Sequence, residues 1–242
     1  MNLVIDIGNT TAKIAVFNGD ELVEIYYSNH SLETLRDISL KHPFKQGIIS
    51  SVVSLNEEVL SQLNALEIPI THLNPQTPIP ISNRYKTPQT LGADRLAAVV
   101  AAHASSHQHD ALVIDVGTCI TYDYIDAEGN YWGGNISPGI NMRLKALQTF
   151  TDKLPLIDAE GDIPSWGYST ETAIRSGVMQ GIQLEIEGYI HQTKEKSPHL
   201  FVFLTGGDGF HFETTGKNTI FADKFLVLKG LNRILNYNET IS

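Results

Sequence analysis

Two short segments of this chain place an aspartate, a glycine and small polar side chains in the same order. The first, LVIDIGNTT, covers residues 3–11, and the second, LVIDVGTCIT, covers residues 112–121, so that Leu, Val, Ile, Asp and Gly recur at an offset of 109. In each segment an apolar run typical of a buried strand ends in Asp-x-Gly followed by hydroxyl or amide side chains. Such a strand end offers a carboxylate, closely approachable backbone amides and hydrogen-bond donors, which together suit a phosphate ligand bound with a metal ion.

The two aspartates of the repeat, Asp6 and Asp115, would repel a phosphate group unless a cation lay between them, so a cation is part of the hypothesis. Gly8 and Gly117 let the backbone come near phosphate oxygens. The side chains able to donate hydrogen bonds to those oxygens are Asn9, Thr10, Thr11 and Thr118. One isolated copy is better explained as an Asp-Gly hairpin turn. Because the acid, the glycine and the polar follower recur together, the repeat favours two facing loops that hold one polyphosphate.

The sequence around the repeat predicts one supersecondary unit that is present twice. In the first copy TAKIAVF (residues 11–17) alternates with period two, Asn18-Gly19 marks a tight turn, and ELVEIYY returns as a strand. In the second copy ALVID and CITYDYI, a turn at residues 127–130 and YWGGNI follow the same plan. The duplication therefore extends beyond the short motif.

Helices are predicted between these strands, which indicates an α/β protein. SLETLRDISLKH (31–42) predicts a helix capped by Ser31, QGIISSVV a buried strand, and NEEVLSQLNAL (56–66) a second helix. The segment 75–90, with four prolines, predicts an irregular loop of the kind that is often functional. GADRLAAVVAAHASS predicts a buried helix, and residues 169–196 the longest one. HLFVFLTGGDG predicts a strand that runs into a glycine turn, and LVLKGLNRILNY a closing helix.

The domain organisation follows from the repeat and from the length of 242 residues, which suits two domains. The polar stretch ASSHQHD at 104–110 is the expected junction. We therefore predict an N-terminal domain at 1–108 and a C-terminal domain at 109–242.

Composition excludes several classes of function. A net charge of −10 without a basic cluster argues against nucleic acid or an anionic membrane as a partner. The apolar run LAAVVAA is far shorter than the roughly 20 residues needed to span a bilayer, and no signal-peptide pattern opens the chain, so a cytoplasmic location is expected. The single cysteine, Cys119, lies in an apolar strand and is interpreted as a core residue.

Five motifs together resemble the type III pantothenate kinases, within the superfamily of acetate and sugar kinases, heat-shock ATPase domains and actin. In chain order they are DIGNT at 6–10, GADR at 92–95, DVGT at 115–118, GGNISPG at 133–139 and TGG at 205–207. The resemblance covers essentially the whole chain. It implies two ribonuclease-H-like domains, arranged as in actin-like ATPases, with a nucleotide cleft between them. It also implies a homodimeric kinase that phosphorylates pantothenate with ATP in the first step of coenzyme A biosynthesis.

The same resemblance assigns the nucleotide and cation contacts. The segment expected to hold the ATP phosphates comprises Asp6, Ile7, Gly8, Asn9, Thr10, Thr11, Ala12 and Lys13, with Asp6 acting through Mg²⁺. Thr118 would add a second phosphate contact, and Asp115 would bind a monovalent cation, K⁺ or NH₄⁺. Gly206 and Gly207 would lie against the adenine and ribose, although a simple β-turn explains these glycines about as well.

The resemblance also assigns the substrate contacts. Asp94 corresponds to the general base, and Arg95 beside it would offer a planar fork to pantothenate. The other expected substrate contacts are Tyr85, Gly92, Ala93 and Thr170. Three alternatives stay open. Asp94 and Thr170 each lie where a helix N-cap is expected, with Ser169 competing for the second cap. A loop tyrosine such as Tyr85 often only packs its ring. The family commonly has Asn before this threonine, so Ser169 departs from its pattern.

Two competing functions remain at this point. One is another small-molecule kinase or phosphatase on the same fold; GADR and Tyr85 favour a pantothenate kinase over it. The other is a nucleotide-binding regulatory protein without catalysis. The presence of all four residues Asp6, Asp94, Arg95 and Asp115 argues against that function.

Overall fold

A five-stranded sheet forms the first part of the protein, whose computed structural model describes residues 1–9, 11–207 and 220–241. Its strands are β1 (Asn2–Ile7), β2 (Ala12–Asn18), β3 (Glu21–Ser28), β4 (Gln46–Ser51) and β5 (Ile70–His72), in the order β3-β2-β1-β4-β5. β1 is antiparallel to β2 and parallel to β4. The predicted turn after Asn18 is confirmed, since Gly19 has a φ of 60°, which favours glycine.

The second sheet contains β6 (Ser82–Asn83), β7 (Ala111–Val116), β8 (Cys119–Ile125), β9 (Asn130–Pro138), β10 (Phe201–Thr205) and β11 (Ile220–Ala222). The strand order is β11-β10-β7-β8-β9-β6. β7 is antiparallel to β8 and parallel to β10, as β1 is to β2 and β4. The prediction that one supersecondary unit occurs twice is thereby confirmed.

The helices are α1 (Leu35–Lys41), α2 (Glu57–Asn64), α3 (Ala93–Ser105), α4 (Ile140–Thr149), α5 (Thr170–Lys196) and α6 (Leu226–Ile241), with a 3₁₀ turn at Pro88–Thr90. The expected Ser31 cap is wrong: Leu32 has a left-handed φ of 52°, and α1 starts only after Thr34. The other predicted helices are confirmed, and α4 is an addition. Within the described ranges, no helix is long and apolar enough to cross a bilayer.

Each sheet is covered by its own hydrophobic core. The first core joins β1 and β2 to α1 and α2 through residues such as Leu3, Ile14 and Leu35. In the second, α5 presents one buried stripe at four-residue spacing, which is the face expected of a helix packed on a sheet. Its members are Ile174, Val178, Ile182, Ile186 and Ile190. These cores hold the strand ends that carry the repeated motifs.

The chain divides into two compact units. The first comprises residues 1–108, 128–132 and 225–242, and the second 109–127 and 133–224. The closing helix α6 belongs to the first unit, where Asn232 accepts a hydrogen bond from Asn2 of β1 at 2.9 Å. The α/β prediction is confirmed, and the domain bounds 1–108 and 109–242 stay a prediction.

Candidate functional site

Asp6 is the buried carboxylate of the first unit. It is the fifth residue of β1, and its register partners are Lys13 on β2 and Ser50 on β4. Only 8% of Asp6 is exposed. The hydrophobic run that makes β1 a central strand therefore carries an ionisable group into a poorly solvated position.

Burial raises the pKa of Asp6 from its ordinary value of 3.8 to about 6, because the charged form loses hydration. The ammonium group of Lys13 acts in the opposite direction, while the charge of Asp94 raises the pKa further. Asp6 and Asp94 are thus close enough for their carboxylates to interact. An uncompensated negative charge at Asp6 is unfavourable, so a divalent cation fits this position.

The turn after β1 exposes the polar side chains of the first motif. The Gly8 amide donates to the Thr11 carbonyl at 3.0 Å, which closes the turn, and Asn9 and Thr11 are exposed. Ile7 and Ala12 are buried, so they can offer only backbone groups to a ligand. Thr10 lies outside the described residues.

Helix α3 begins in the GADR motif, with Gly92 as its N-cap and Asp94 as its second residue. The Asp94 carboxylate accepts a hydrogen bond from the Arg95 amide at 2.8 Å, which satisfies one free amide of the first turn. Asp94 therefore assists the helix start without occupying the N-cap position. It is only partly buried, which leaves it accessible to a ligand.

Gly92 makes room for the Asp94 carboxylate. A Cβ atom at position 92 would overlap with Oδ1 of Asp94, so any other residue would displace that carboxylate. The φ of Gly92 is −59°, which every residue type adopts. The requirement for glycine here is steric and concerns the candidate base directly.

Tyr85 and Arg95 lie together in the first unit. The guanidinium carbon of Arg95 is 5.7 Å from the centre of the Tyr85 ring, within the range of a cation–π interaction. Tyr85 also stacks on Tyr131, with ring centres 6.2 Å apart. Arg95 is 7% exposed and Tyr85 is partly buried, so the ring partly covers the guanidinium group.

A cavity of about 540 Å³ opens beside the start of α3 in the first unit. Gly92 and Ala93 line it, together with residues of the predicted loop, among them Pro78, Ile79 and Pro88. The proline-rich segment thus encloses space next to the candidate base. Its mixed polar and apolar lining suits a small polar molecule with an aliphatic backbone.

Asp115 is the corresponding carboxylate of the second unit, at the end of β7. Thr205 on β10 is its register partner, and the chain then turns at Gly206 with a φ of 94°. A Cβ atom on Gly206 would overlap with the Val116 carbonyl oxygen and approach Oδ1 of Asp115 closely. Gly206 is therefore required both by its backbone conformation and by the space around Asp115.

Oxygen ligands at these turns fit a cation. Across the described ranges, His, Cys, Asp and Glu side chains do not gather in threes as they do in a self-sufficient metal centre. A cation beside Asp6 or Asp115 would take its remaining ligands from phosphate, backbone carbonyls or water, as Mg²⁺ commonly does. The side chain of Thr118 is exposed, so its hydroxyl group can donate a hydrogen bond to a phosphate bound beside Asp115.

Thr170 is the first residue of α5, and Ser169 is the N-cap. The Ser169 hydroxyl accepts from the Thr172 amide at 3.2 Å, and the Thr172 hydroxyl accepts from the Ser169 amide at 2.9 Å, a reciprocal capping box. The alternative that Thr170 is the cap is therefore wrong. Thr170 is exposed and lines an apolar cavity of about 870 Å³ between α4 and α5.

One set of residues near Thr118 was missed by sequence reasoning. Glu185 on α5 bonds to Arg143 on α4, Tyr122 on β8 and Ser137 on β9. Only Ser137 lies in one of the five motifs, and nothing in the sequence links it to Tyr122, Arg143 and Glu185, so only the fold brings the four together.

Comparisons with known proteins cover almost the whole chain. A model of the family described as type III pantothenate kinase matches residues 2–192. The chain is 57% identical over 242 residues, all of both chains, to a protein of Phocaeicola vulgatus named type III pantothenate kinase. Among solved structures, it resembles a conserved putative Baf family transcriptional activator from Campylobacter jejuni, with a TM-score of 0.62, 25% identity, and coverage of 98% of this chain and 99% of that one.

A second solved structure bears on the fold alone. Lmo2764 from Listeria monocytogenes, a putative N-acetylmannosamine kinase, gives a TM-score of 0.56 at 12% identity, with 98% of this chain and 99% of that chain covered. The prediction of a duplicated ribonuclease-H-like fold is confirmed by this structural likeness.

Proposed function

The chain belongs to the type III pantothenate kinase family, and we propose that it transfers the γ-phosphoryl group of ATP to the terminal hydroxyl of pantothenate. The product, 4′-phosphopantothenate, starts coenzyme A biosynthesis. The observation that carries this proposal is the placement of Asp94 at the start of α3, beside the cavity at Gly92, in the same unit as the buried Asp6 of β1. A carboxylate suited to a metal-bound phosphate, Asp6, and one suited to accept a proton, Asp94, interact electrostatically.

Asp94 is the proposed general base. The pantothenate hydroxyl oxygen attacks the γ-phosphorus while its proton passes to the Asp94 carboxylate. The bond between the γ-phosphorus and the bridging oxygen breaks, and ADP leaves with the electron pair. Little covalent work falls to the protein in such a transfer, so orientation of the two reactants is the main task of the site.

Residues Asp6 to Lys13 are the proposed phosphate-binding segment. The turn after Gly8 exposes the side chains of Asn9 and Thr11, and Lys13 brings a positive charge opposite Asp6. When bound at Asp6, Mg²⁺ would neutralise phosphate charge as it develops. The buried, destabilised charge of Asp6 supports that assignment.

Thr118, Gly206 and Gly207 are proposed as further nucleotide contacts, and Asp115 as the ligand of a monovalent cation, K⁺ or NH₄⁺. The close packing of Gly206 against Asp115 supports a turn shaped around that carboxylate. For pantothenate we propose Gly92, Ala93, Arg95 and Tyr85, with Thr170 as an additional contact.

We further propose a cytoplasmic homodimer. Phe150, Trp166 and Tyr168 of the second unit are 85%, 90% and 74% exposed, and burial of such large side chains would favour association. A second copy would cover them. Static light scattering at micromolar concentration should give twice the monomer mass, and an active monomer would contradict the proposal.

The experiment that tests the function is ATP consumption with pantothenate and with a panel of other alcohols. Pantothenate should stimulate ADP release, whereas sugars and simple polyols should not. A preference for a polyol would favour a different kinase on this fold.

The Asp94→Asn variant tests the role of Asp94 as the base. Because Asn still accepts the hydrogen bond from the Arg95 amide, the helix start is kept. Turnover should fall about 10²- to 10⁴-fold, the usual cost of losing a general base. Near-normal turnover would limit Asp94 to its structural role.

A further inference from the structure

A hydrogen-bonded group in the second unit, here called the Glu185 cluster, consists of Glu185, Arg143, Ser137 and Tyr122. Oε1 of Glu185 accepts from the Tyr122 hydroxyl at 2.8 Å and from the Ser137 hydroxyl at 2.6 Å. Oε2 accepts from the Arg143 guanidinium at 2.6 Å. The cluster thus joins β8, β9, α4 and α5 through one carboxylate.

Arg143 uses its remaining donors to hold the end of β9. Its Nε donates to the Pro138 carbonyl at 2.7 Å, and the nitrogen that contacts Glu185 also donates to the Ser137 hydroxyl at 2.7 Å. The side chains of Arg143 and Glu185 are only 22% and 25% exposed, so their charge-assisted bonds are partly shielded from water. Burial by itself would raise the pKa of Glu185, but the Ser137, Arg143 and Tyr122 bonds outweigh it and hold that pKa below its ordinary value.

The segment held by Arg143 packs directly on the second repeated turn. Gly139, the next residue, donates its amide to the Thr118 carbonyl at 3.1 Å. A Cβ atom on Gly139 would overlap with the carbonyl oxygens of both Gly117 and Thr118. The backbone of Gly139 therefore packs directly on the backbone of Gly117 and Thr118. A displacement of residues 137–139 must then displace the turn at 115–118.

We propose that the Glu185 cluster positions the Asp115–Thr118 turn for contact with its phosphate and cation ligands. The proposal rests on the function proposed above, since it takes Asp115 and Thr118 as ligand contacts. Glu185 and Arg143 act through Ser137, Pro138 and Gly139. Their loss should weaken binding at the turn while leaving contacts of the first unit intact.

Tyr124, two residues after Tyr122 on β8, provides a matched control. Tyr124 also donates its hydroxyl to a carboxylate at 2.8 Å, but that carboxylate is Asp110, which precedes β7, whereas Asp115 lies near the end of that strand. Tyr122→Phe and Tyr124→Phe thus remove the same atom from one strand. Tyr122→Phe removes a bond to Glu185, whereas Tyr124→Phe removes a bond to Asp110, outside the cluster.

The test is calorimetric binding of Mg-ADP at several K⁺ concentrations, together with steady-state kinetics, for wild type and three variants. Glu185→Gln keeps the side-chain shape but cannot accept from Tyr122, Ser137 and Arg143 at once. The Kd for Mg-ADP and the K⁺ concentration for half-maximal turnover should rise about tenfold, the lower end of what loss of an outer partner costs a metal site. The KM for pantothenate should stay within about twofold. Tyr122→Phe should shift the same two constants in the same direction by about two- to threefold, and Tyr124→Phe should leave both unchanged.

Equal effects of the two tyrosine variants, or unchanged Mg-ADP and K⁺ constants in Glu185→Gln, would overturn the proposal. So would a uniform loss in all constants that follows the loss of melting temperature, because that indicates a purely structural role. Should Glu185→Gln fail to fold, the tyrosine pair decides alone. Wild-type protein that binds Mg-ADP without phosphorylating pantothenate would refute the proposed function but leave the binding comparison decisive for the cluster.

Discussion

At the scale of single residues, the candidate site is defined by carboxylates in different surroundings. Asp6 is buried in a central strand, whereas Asp94 and Asp115 are only partly buried at a helix start and a strand end. The residue types and their order identify all three from the sequence. Their burial and the Asp6–Asp94 coupling depend on strand register and helix placement, which the sequence pattern leaves undetermined.

The ionisation of Asp6 predicts how stability depends on pH. Its pKa rises from 3.8 to about 6 on folding, so the favourable contribution of the protonated form is complete below pH 3.8 and is lost as pH rises through about 6. This difference corresponds to about 3 kcal/mol. In metal-free buffer Asp6→Asn should therefore raise the free energy of unfolding at pH 8 by up to that amount and leave it unchanged near pH 3. Urea denaturation at both pH values checks this, and a variant less stable than wild type at pH 8 would contradict it.

The same titration predicts the pH dependence of nucleotide use. Protonated Asp6 cannot hold Mg²⁺, so the KM for Mg-ATP should rise as pH falls below about 6, the folded pKa. The KM for pantothenate should change less over that range. A KM for Mg-ATP that is constant between pH 5 and 8 would argue against metal binding at Asp6.

Gly92 gives a third prediction at this scale. Gly92→Ala should lower turnover on the order of 10²-fold, because small displacements of a catalytic group cost about that much. The fold should persist, since the backbone at 92 has an ordinary φ. Gly188→Ala is the control: this glycine lies in α5 with open space around its Cβ position. Normal turnover in Gly92→Ala would show that Asp94 does not need its observed position.

At the scale of elements, local signals predicted most strands and helices. Asn56 caps α2 and Ser169 caps α5, as polar residues before apolar periodic runs indicate. The failure at Ser31 has a local cause, because a left-handed Leu32 is a conformation that leucine rarely adopts. Helix α4 lacks a side-chain cap at Gly139, whose role is instead its close contact with the Gly117–Thr118 backbone.

The start of α5 allows capping and substrate contact to be separated. Ser169→Ala should lower the free energy of unfolding by about 1 kcal/mol, the typical cost of a lost cap. Thr170→Ala should change it by less than about 0.5 kcal/mol but raise the KM for pantothenate. Thermal denaturation and pantothenate titration of both variants provide the comparison. A Thr170→Ala variant with wild-type KM would remove Thr170 from the substrate contacts.

At the scale of the whole molecule, the offset repeat predicted the duplicated fold because each Asp-x-Gly segment ends a strand at an equivalent place in its sheet. The assignment of α6 to the first unit was beyond sequence reasoning, since its apolar face fits either core until Asn232 and Gly230 are seen against β1 and α3. The Glu185 cluster was invisible for the same reason: its members meet only through tertiary structure.

The function proposed for Asp115 predicts a requirement for a monovalent cation. At fixed Mg²⁺, turnover should be higher in potassium than in sodium-only buffer, and Asp115→Asn should abolish that difference. The Lys41–Glu24 ion pair of the first unit, with Nζ–Oε1 at 2.7 Å, offers a control carboxylate in Glu24→Gln. Equal wild-type turnover in the two buffers would count against the role of Asp115.

The central claim is that this chain makes 4′-phosphopantothenate from ATP, and the most direct measurement of it is mass spectrometry of the products formed by the purified protein. With Mg²⁺, K⁺, ATP and pantothenate present, the account predicts one 4′-phosphopantothenate for each ADP, and ADP formation that stops when pantothenate is omitted. ADP formed without 4′-phosphopantothenate, or neither product from a folded protein that binds Mg-ATP, would contradict it.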